Sequence, residues 1–178
     1  MARVFIAFDV SDEARDYLFN LQKELSKFVK AKWVEKKNIH LTLKFLGEID
    51  DEKLEKLKKE LSKIKFKRFD VVLDELGVFP DENFTRVIWV GLKGEGIFNL
   101  QKKIDEELLE LFSQDQKFTS HITLGRVKAV KDKEKLKEFF SKIKIDEIKF
   151  TVDNFKLYRS ELSKDGPKYY LLEEYKLE

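Results

Sequence analysis

The sequence predicts a fold of mixed strands and helices, in which two similar lobes related by an approximate two-fold axis enclose a central cleft. The chain has 178 residues, of which 42% are hydrophobic, and this is enough to bury one core. Strand and helix patterns occur in the same order in both halves. No stretch rich in Pro, Gly or Ser separates the halves, so two packed lobes are expected rather than two independent domains.

The first half has the order strand, helix, strand, helix, strand. An apolar, β-branched run at 3–10 predicts the first strand, and Ser11 predicts the N-cap of the helix that follows. The apolar residues at helical spacing in this helix are Ala14, Tyr17, Leu18, Leu21, Leu25 and Phe28. Residues 39–47 predict a strand, 50–64 a helix and 68–79 a further strand.

The second half repeats this order after a turn that Pro80 and Asn83 indicate. Its predicted elements are a strand at 86–92, a helix at 96–112, a strand at 121–127, a helix at 132–143 and a strand at 147–162. A turn over SKDGP pairs the last of these with a terminal strand at 168–176. The chain is therefore expected to form one bilobal domain, 1–178, with approximate repeats at 1–78 and 84–160.

Both histidines of the chain open the same four-residue pattern of His, aliphatic, Thr and Leu. His40 begins one copy and His121 the other, and they fall at equivalent positions of equivalent predicted strands. Because side chains alternate along a strand, His40 and Thr42 share one face, and so do His121 and Thr123. Each lobe should therefore present an imidazole and a hydroxyl group to the cleft.

Two imidazoles across a cleft suit acid-base chemistry at phosphorus. Imidazole has an unperturbed pKa of about 6.5, so one ring can accept a proton at neutral pH while the other donates one. In-line displacement needs this division, since the attacking oxygen loses a proton while the leaving oxygen gains one on the opposite side. The threonine hydroxyls can donate hydrogen bonds to the non-bridging oxygens. A lone histidine on a strand is more often a surface or core residue, but two matched copies favour a paired site.

The composition disfavours other kinds of site. The absence of cysteine excludes disulfides, thiolate zinc sites and thiol nucleophiles. No acidic residue flanks either histidine motif at ligand spacing, so no metal is expected, and GLKGEG lacks the ending of a phosphate-binding P-loop. A net charge of +2 neither supports nor excludes RNA as a partner. No apolar run suits a signal peptide or a membrane span, so a cytoplasmic protein without membrane contact is expected.

Several segments together resemble the two-histidine (2H) phosphoesterase superfamily, and within it the LigT-like RNA 2′,3′-cyclic phosphodiesterases, also called 2′-5′ RNA ligases. These segments are RVFIAF, HLTLKFLG, GVFP, RVIWVGL and HITLGR. The resemblance runs over nearly the whole chain. It implies a bilobal α+β fold in which two antiparallel sheets with outer helices, related by a pseudo-two-fold axis, form a central active cleft.

The resemblance also implies an activity, a substrate and roles for the matched residues. The implied activity is metal-independent hydrolysis of an RNA terminal 2′,3′-cyclic phosphate to a 2′-phosphomonoester, in some members with reversible 2′-5′ ligation. By position, His40 and His121 become the acid-base pair. Thr42 and Thr123 become the phosphate ligands. We expect His121 to activate water and His40 to protonate the departing 3′ oxygen, although pseudo-symmetry also allows the reverse.

The expected partners follow from the same resemblance. They are RNA ends carrying a 2′,3′-cyclic phosphate, or cyclic nucleotides, with no cofactor, and the protein is expected to be a monomer. Two other functions stay open. The same site could act on another small cyclic phosphate, or the protein could be a non-catalytic RNA-end binding module whose histidines only contact phosphate.

Arg126 matches a family arginine suited to holding phosphate, because guanidinium binds phosphate through two hydrogen bonds. It lies five residues after His121, so on an ideal strand it faces away and is a surface arginine. Its participation requires a bulge or strand end at Gly125. The equivalent residue of the first copy is Phe45, which is expected in the core. Lys44 shares the histidine face of the first copy on an ideal strand, where its charge would attract a phosphate.

Overall fold

The structure, a computed structural model, describes residues 1–81, 83–115 and 117–178. These residues form nine strands, four α-helices and one 3₁₀ turn. The strands are β1 (Ala2–Asp9), β2 (Val29–Trp33), β3 (His40–Ile49), β4 (Phe69–Asp81), β5 (Phe84–Lys93), β6 (His121–Val130), β7 (Lys149–Val152), β8 (Asn154–Ser163) and β9 (Gly166–Lys176). The helices are α1 (Asp12–Leu25), α2 (Asp51–Ser62), α3 (Glu95–Glu107) and α4 (Lys133–Lys142), and the 3₁₀ turn spans Lys36–Asn38.

The strands form two antiparallel sheets, and each sheet takes two strands from the other half of the chain. The four-stranded sheet has the order β3-β1-β8-β9, and the five-stranded sheet has the order β2-β6-β5-β4-β7. β4 leaves the first half to pair with β5, while β8 leaves the second half to pair with β1. The segment β1-α1-β3-α2 therefore corresponds to β5-α3-β6-α4. The predicted α+β fold, with two antiparallel sheets and an internal duplication, is confirmed.

Two strands differ from the sequence prediction. The sequence does not predict β2, because only Val29 of its five residues is fully buried. The single strand predicted at 147–162 is wrong, since β7 pairs with β4 in one sheet and β8 pairs with β1 in the other. The apolar alternation changes phase between Val152 and Phe155, where the chain crosses from one sheet to the other.

Three of the four described helices begin at a side-chain N-cap. The Ser11 hydroxyl accepts a hydrogen bond from the backbone N–H of Ala14 at 3.2 Å, as predicted. Asp50 and Asp132 cap α2 and α4 in the same way, at 2.8 and 3.0 Å. α3 ends at Glu107 rather than at the predicted residue 112, and turns follow it.

One hydrophobic core joins the helices to both sheets. It contains the apolar stripes that the sequence predicts, which include Leu18, Leu21 and Leu25 of α1, Leu57 and Leu61 of α2, and Ile97, Leu100 and Ile104 of α3. None of the described helices is long and apolar enough to cross a membrane.

Candidate active site

The two histidines are carried by β3 and β6, which lie in different sheets. Cα atoms of these two strands nevertheless approach within 8 Å of each other. His40 and His121 are the first residues of the two strands. Burial is the main cause that lowers the pKa of His40, and the charge of His121 acts in the same direction. The structure thus places one imidazole from each sheet at the start of two strands that approach each other.

His40 makes hydrogen bonds at both ring nitrogens. Its Nδ1–H donates to the backbone carbonyl oxygen of Asn38 at 2.5 Å, because a carbonyl oxygen can only accept. In the neutral ring Nε2 is therefore unprotonated, and it accepts a hydrogen bond from the Thr42 hydroxyl at 2.8 Å. Nε2 is thus the atom through which His40 can exchange a proton with a substrate.

Burial lowers the pKa of His40 below its usual value of 6.5. The hydrogen bond to Asn38 and the negative charge of Asp9 act in the opposite direction, but burial has the larger effect. His40 is therefore neutral at neutral pH when the cleft holds no ligand. A bound anion would favour the protonated ring and raise this pKa.

His121 has the same backbone contact as His40 but different neighbours. Its Nδ1–H donates to the carbonyl oxygen of Thr119 at 2.9 Å. Like Asn38 in the other lobe, Thr119 lies two residues before the histidine. Phe79 and Trp89 make edge-to-face contacts with the ring, with centroid distances of 5.4 and 6.2 Å. In the part of the chain that the structure describes, no hydrogen bond engages Nε2 of His121.

A β-bulge in each strand reverses the side-chain alternation that follows the histidine. The extra residue is Leu43 in β3 and Leu124 in β6, as the register with the neighbouring strand shows. The next residues, Lys44 and Gly125, are buried like the leucines before them. At Gly125 a Cβ would lie 2.6 Å from the Trp33 ring, so glycine suits this bulge. The residues that follow these two, Phe45 and Arg126, return to the face of the histidine.

Arg126 can face the site only if β6 has a bulge or ends near Gly125. The bulge at Leu124 meets this condition and places Arg126 on the face of His121. Arg126 is close enough to Tyr169 of β9, in the opposite sheet, for its charge to lower the pKa of that hydroxyl, although burial raises the pKa more. Tyr169 packs edge-to-face on His40, with ring centroids 5.5 Å apart. The charge of Arg126 therefore acts across the two sheets, on a tyrosine that contacts His40.

Known proteins resemble this chain in sequence and in fold. The model of the family described as LigT like Phosphoesterase matches the sequence twice, at residues 8–89 and 90–169. The chain belongs to the LigT-like phosphoesterase family.

Curated relatives and solved structures match this LigT-like chain over nearly its full length. The RNA 2′,3′-cyclic phosphodiesterase of Methanocaldococcus jannaschii is 37% identical over 176 residues, covering 97% of this chain and 99% of that protein. The protein of the same name from Thermotoga maritima is 36% identical over 182 residues, covering 99% and 96%. The crystal structure of E. coli LigT complexed with 3′-AMP aligns with a TM-score of 0.77 at 26% identity, covering 99% of this chain and 98% of that chain. A crystal structure from Thermus thermophilus, that of TT0787, aligns with a TM-score of 0.79 at 29% identity, covering 98% and 97%.

Lys44 does not reach the LigT-like cleft, contrary to the sequence prediction. The bulge at Leu43 turns its side chain inward, where only 3% of the residue is exposed. Its Nζ donates to Asp105 at 2.5 Å and to the carbonyl oxygen of Ser113 at 3.0 Å, and lies 3.2 Å from Asp115. Lys44 therefore links β3 to α3 and to the segment that precedes β6.

The prediction that Phe45 belongs to the core is also wrong, for the same reason. Its side chain follows the bulge and leaves the residue 76% exposed. The ring lies 6.2 Å from that of Phe5, which in turn lies 5.3 Å from the ring of His40. Phe45 thus stands on the His40 face, at the position that Arg126 occupies in the other lobe.

Gln22 is a residue of the LigT-like scaffold that the sequence analysis does not single out. It is buried in α1, and its Nε2 donates to the carbonyl oxygens of Val34 and Leu124, both at 2.9 Å. The carbonyl oxygen of Leu124 also accepts the backbone N–H of Val34. Gln22 therefore fixes the bulge that directs Arg126. Its signal in the sequence is an amide side chain within an apolar helical stripe.

A polar cluster lies beside His40, at the end of β1. Lys156 and Tyr158 of β8 both bond to the carboxylate of Asp9, at 2.5 and 2.9 Å. Burial and the charge of Asp9 raise the pKa of Tyr158, so its hydroxyl stays a donor. Among residues 1–81, 83–115 and 117–178, no three His, Asp or Glu side chains are grouped so that they could hold a metal ion.

Proposed function

We propose that the protein hydrolyses the 2′,3′-cyclic phosphate at the end of an RNA chain and leaves a 2′-phosphomonoester. The observation that carries this proposal is the pair of histidines, one from each sheet, each with its Nδ1–H bonded to a backbone carbonyl oxygen. That bond leaves Nε2 of both rings for proton transfer. The proposal agrees with the name RNA 2′,3′-cyclic phosphodiesterase, which relatives at 31% to 37% identity carry.

In the proposed reaction, His121 is the base and His40 the acid. Nε2 of His121 takes a proton from water, whose oxygen forms a new bond to phosphorus. The bond between phosphorus and the 3′ oxygen breaks on the opposite side, and Nε2 of His40 gives its proton to that oxygen. The phosphate stays on the 2′ oxygen. Proton exchange with solvent then returns both rings to their starting states.

The lowered pKa of His40 fits an acid that gains its proton when substrate binds. Burial keeps the free ring neutral, whereas the negative charge of the cyclic phosphate raises its pKa. Protonation at Nε2 reverses the hydrogen bond with Thr42, so that the threonine oxygen accepts. The Thr42 hydroxyl proton is then free to point at a phosphoryl oxygen. Substrate binding thus protonates His40 and at the same time frees the Thr42 hydroxyl to donate a hydrogen bond to the phosphate.

Thr123 and Arg126 are the proposed phosphate ligands from the other lobe. Thr123 lies two residues after His121 and therefore shares its face. The bulge brings Arg126 to the same face, where its guanidinium group can hold two phosphoryl oxygens. These hydrogen-bond donors stabilise most strongly when negative charge accumulates on the non-bridging phosphoryl oxygens during the displacement.

The test of this function is incubation of the purified protein with an oligonucleotide that ends in a 2′,3′-cyclic phosphate, with and without a chelator. We expect equal rates in both conditions and a product whose phosphate remains on the 2′ oxygen, identified by phosphorus NMR. A 3′-phosphate product would contradict the assignment of the leaving oxygen. Tight binding without product would favour an RNA-end binding module. Turnover of small cyclic nucleotides alone would favour another cyclic phosphate as substrate.

Gln22→Met is expected to lower kcat/KM for the same oligonucleotide about tenfold, the equivalent of one hydrogen bond of about 1.4 kcal/mol. It removes the donor that fixes the Leu124 bulge and nearly conserves side-chain volume. In an Arg126→Ala background the same change should cause no further loss, since the arginine that the bulge directs is already absent. Equal losses in both backgrounds would show that Gln22 supports the fold in general and not Arg126.

A further inference from the structure

Two cavities of equal size lie near the two histidines: His40 lines one, and Gly91, Thr119 and Ser120, which are neighbours of His121, line the other. Each has a volume of about 300 Å³. The His40 cavity is lined by Asp9, which pairs with His40 across β1 and β3. The His121 cavity is lined by Gly91, which pairs with His121 across β5 and β6. Each cavity also contains the residue two positions before its histidine. The two cavities are therefore equivalent under the pseudo-two-fold symmetry.

The His40 cavity has a positively charged lining. Lys37 and Lys168 lie at its wall and are exposed. The carboxylate of Asp9, which also lines it, is already paired with Lys156 at 2.5 Å. Lys37 lies 3.6 Å from Glu35, but such an exposed pair is weak and easily exchanged for another anion. Two lysines are thus available to a ligand that carries negative charge.

The His121 cavity, in contrast, has a negatively charged lining. Asp74 and Glu75 lie at its wall with a single lysine, Lys93. All three side chains are exposed, so their charges act on anything that approaches from solvent. A polyanion is therefore repelled from this side of the cleft and attracted to the other.

Aromatic rings complete the lining of the His40 cavity. Tyr158, Tyr169 and Tyr170 all contribute to its wall. Tyr170 is 40% exposed, and the guanidinium group of Arg159 lies over its ring at 4.8 Å. Cationic side chains beside exposed aromatic rings are the typical surface for single-stranded RNA, because lysines bind phosphates while bases stack on the rings.

We propose that the His40 cavity binds the penultimate nucleotide of the RNA, with Lys37 and Lys168 on the phosphate that joins it to the terminal nucleotide and Tyr170 under its base. This inference rests on the proposed function and defines the preferred substrate as a chain of two or more nucleotides. It also breaks the symmetry of the site. The RNA leaves the cleft on the side of His40, so the terminal ribose and its departing 3′ oxygen lie there, and water enters beside His121.

The test compares two substrates, a hexanucleotide ending in a 2′,3′-cyclic phosphate and a mononucleoside 2′,3′-cyclic phosphate. The double variant Lys37→Gln/Lys168→Gln should lower kcat/KM for the hexanucleotide about tenfold or more and affect the mononucleoside far less. The slope of log kcat/KM against log salt for the hexanucleotide should become shallower by about 0.7, as expected for one lost phosphate contact. The matched control Lys93→Gln removes a lysine of the His121 cavity and should leave hexanucleotide hydrolysis unchanged.

Three results would overturn the proposal. These are equal losses on both substrates, an equal loss in the Lys93→Gln control, or no preference of the unaltered protein for the hexanucleotide. If the unaltered protein hydrolyses neither substrate, the proposed function fails instead. The subsite is then decided by fluorescence anisotropy with a labelled hexanucleotide ending in a 2′-phosphate. The double variant should weaken its binding about tenfold, and an unchanged Kd would refute the subsite.

Discussion

Replacing His40 or His121 with alanine is expected to lower the rate of cyclic-phosphate hydrolysis by about two to four orders of magnitude. Each variant loses one of the two groups that we propose transfer protons, and the chain has no third histidine that could substitute. Single-turnover kinetics with enzyme in excess over the oligonucleotide measures this loss at the bond-breaking step. The double variant should lose little more than the worse single variant, because the two groups act in one displacement.

The control for these variants is their stability, measured by the urea midpoint and by circular dichroism. Both histidines are half-buried at strand starts, so a large loss of structure is not expected. Unchanged single-turnover rates in either alanine variant would refute the two-histidine mechanism. A rate loss of equal size in Lys93→Gln, which leaves both rings in place, would show that the assay reports general damage.

A substrate with sulfur in place of the bridging 3′ oxygen distinguishes the acid from the base. A thiolate leaves without protonation because the pKa of a thiol is about 8.5, far below that of an alcohol. The variant that lacks the acid should therefore recover activity on the sulfur substrate, and the variant that lacks the base should not. We expect recovery for His40→Ala. Recovery for His121→Ala would exchange the two roles and place the terminal ribose on the other side.

The positions of the two histidines in matching strands were predictable because the motif is local and occurs twice. The two-residue period of a strand puts the threonine on the face of the histidine, and both motifs begin a described strand. Helix starts were predictable for a similar reason, since the Ser11 cap contacts a backbone group only three residues away. Both predictions depend on short-range geometry that the residue types themselves determine.

The directions of Lys44 and Phe45 were not predictable, because they depend on a bulge whose extra residue the sequence does not mark. Leu43 is as compatible with an ordinary strand as with a bulge. In β6 the glycine at position 125 indicates an irregular strand, and this is why the position of Arg126 could be stated as a condition. In β3 the corresponding residue is a lysine, and its buried partner Asp105 lies 61 positions away in the chain.

Sheet membership was a second long-range property. The sequence predicts strands but not which sheet each joins, and the exchange of β4 and β8 between lobes depends on pairing partners from the opposite half. This exchange has a consequence for the site. Each histidine-bearing sheet contains two strands from the other repeat, so neither repeat can form its complete sheet alone.

The buried ion pair between Lys44 and Asp105 predicts the largest effect on stability. Lys44→Met is expected to lower the free energy of unfolding by about 3–5 kcal/mol, because it leaves a carboxylate buried without its cation. This is a large share of the about 5–15 kcal/mol that stabilises a typical domain. Equilibrium unfolding in urea, followed by the fluorescence of Trp33 and Trp89, measures the change.

The exposed pair between Lys142 and Glu138 provides the matched control for Lys44→Met. The distance from Nζ of Lys142 to Oε1 of Glu138 is 2.6 Å, almost as short as in the buried pair, but both side chains are mostly in solvent. Lys142→Met should therefore leave the urea midpoint unchanged, since water and salt ions replace the lost partner. Equal losses in the two lysine variants would show that burial is not the cause of the effect.

The double variant Lys44→Met/Asp105→Asn isolates the buried charge from the lost hydrogen bonds. Asparagine has the size of aspartate and can still accept the backbone N–H of Asp115, but it carries no charge. The double variant should therefore be about 2 kcal/mol more stable than Lys44→Met alone. No recovery would mean that Lys44 acts mainly through its bond to the carbonyl oxygen of Ser113, which anchors the segment leading to His121. In that case Lys44→Met should also lower the single-turnover rate, because the lysine would help to hold β6, the strand that begins at His121.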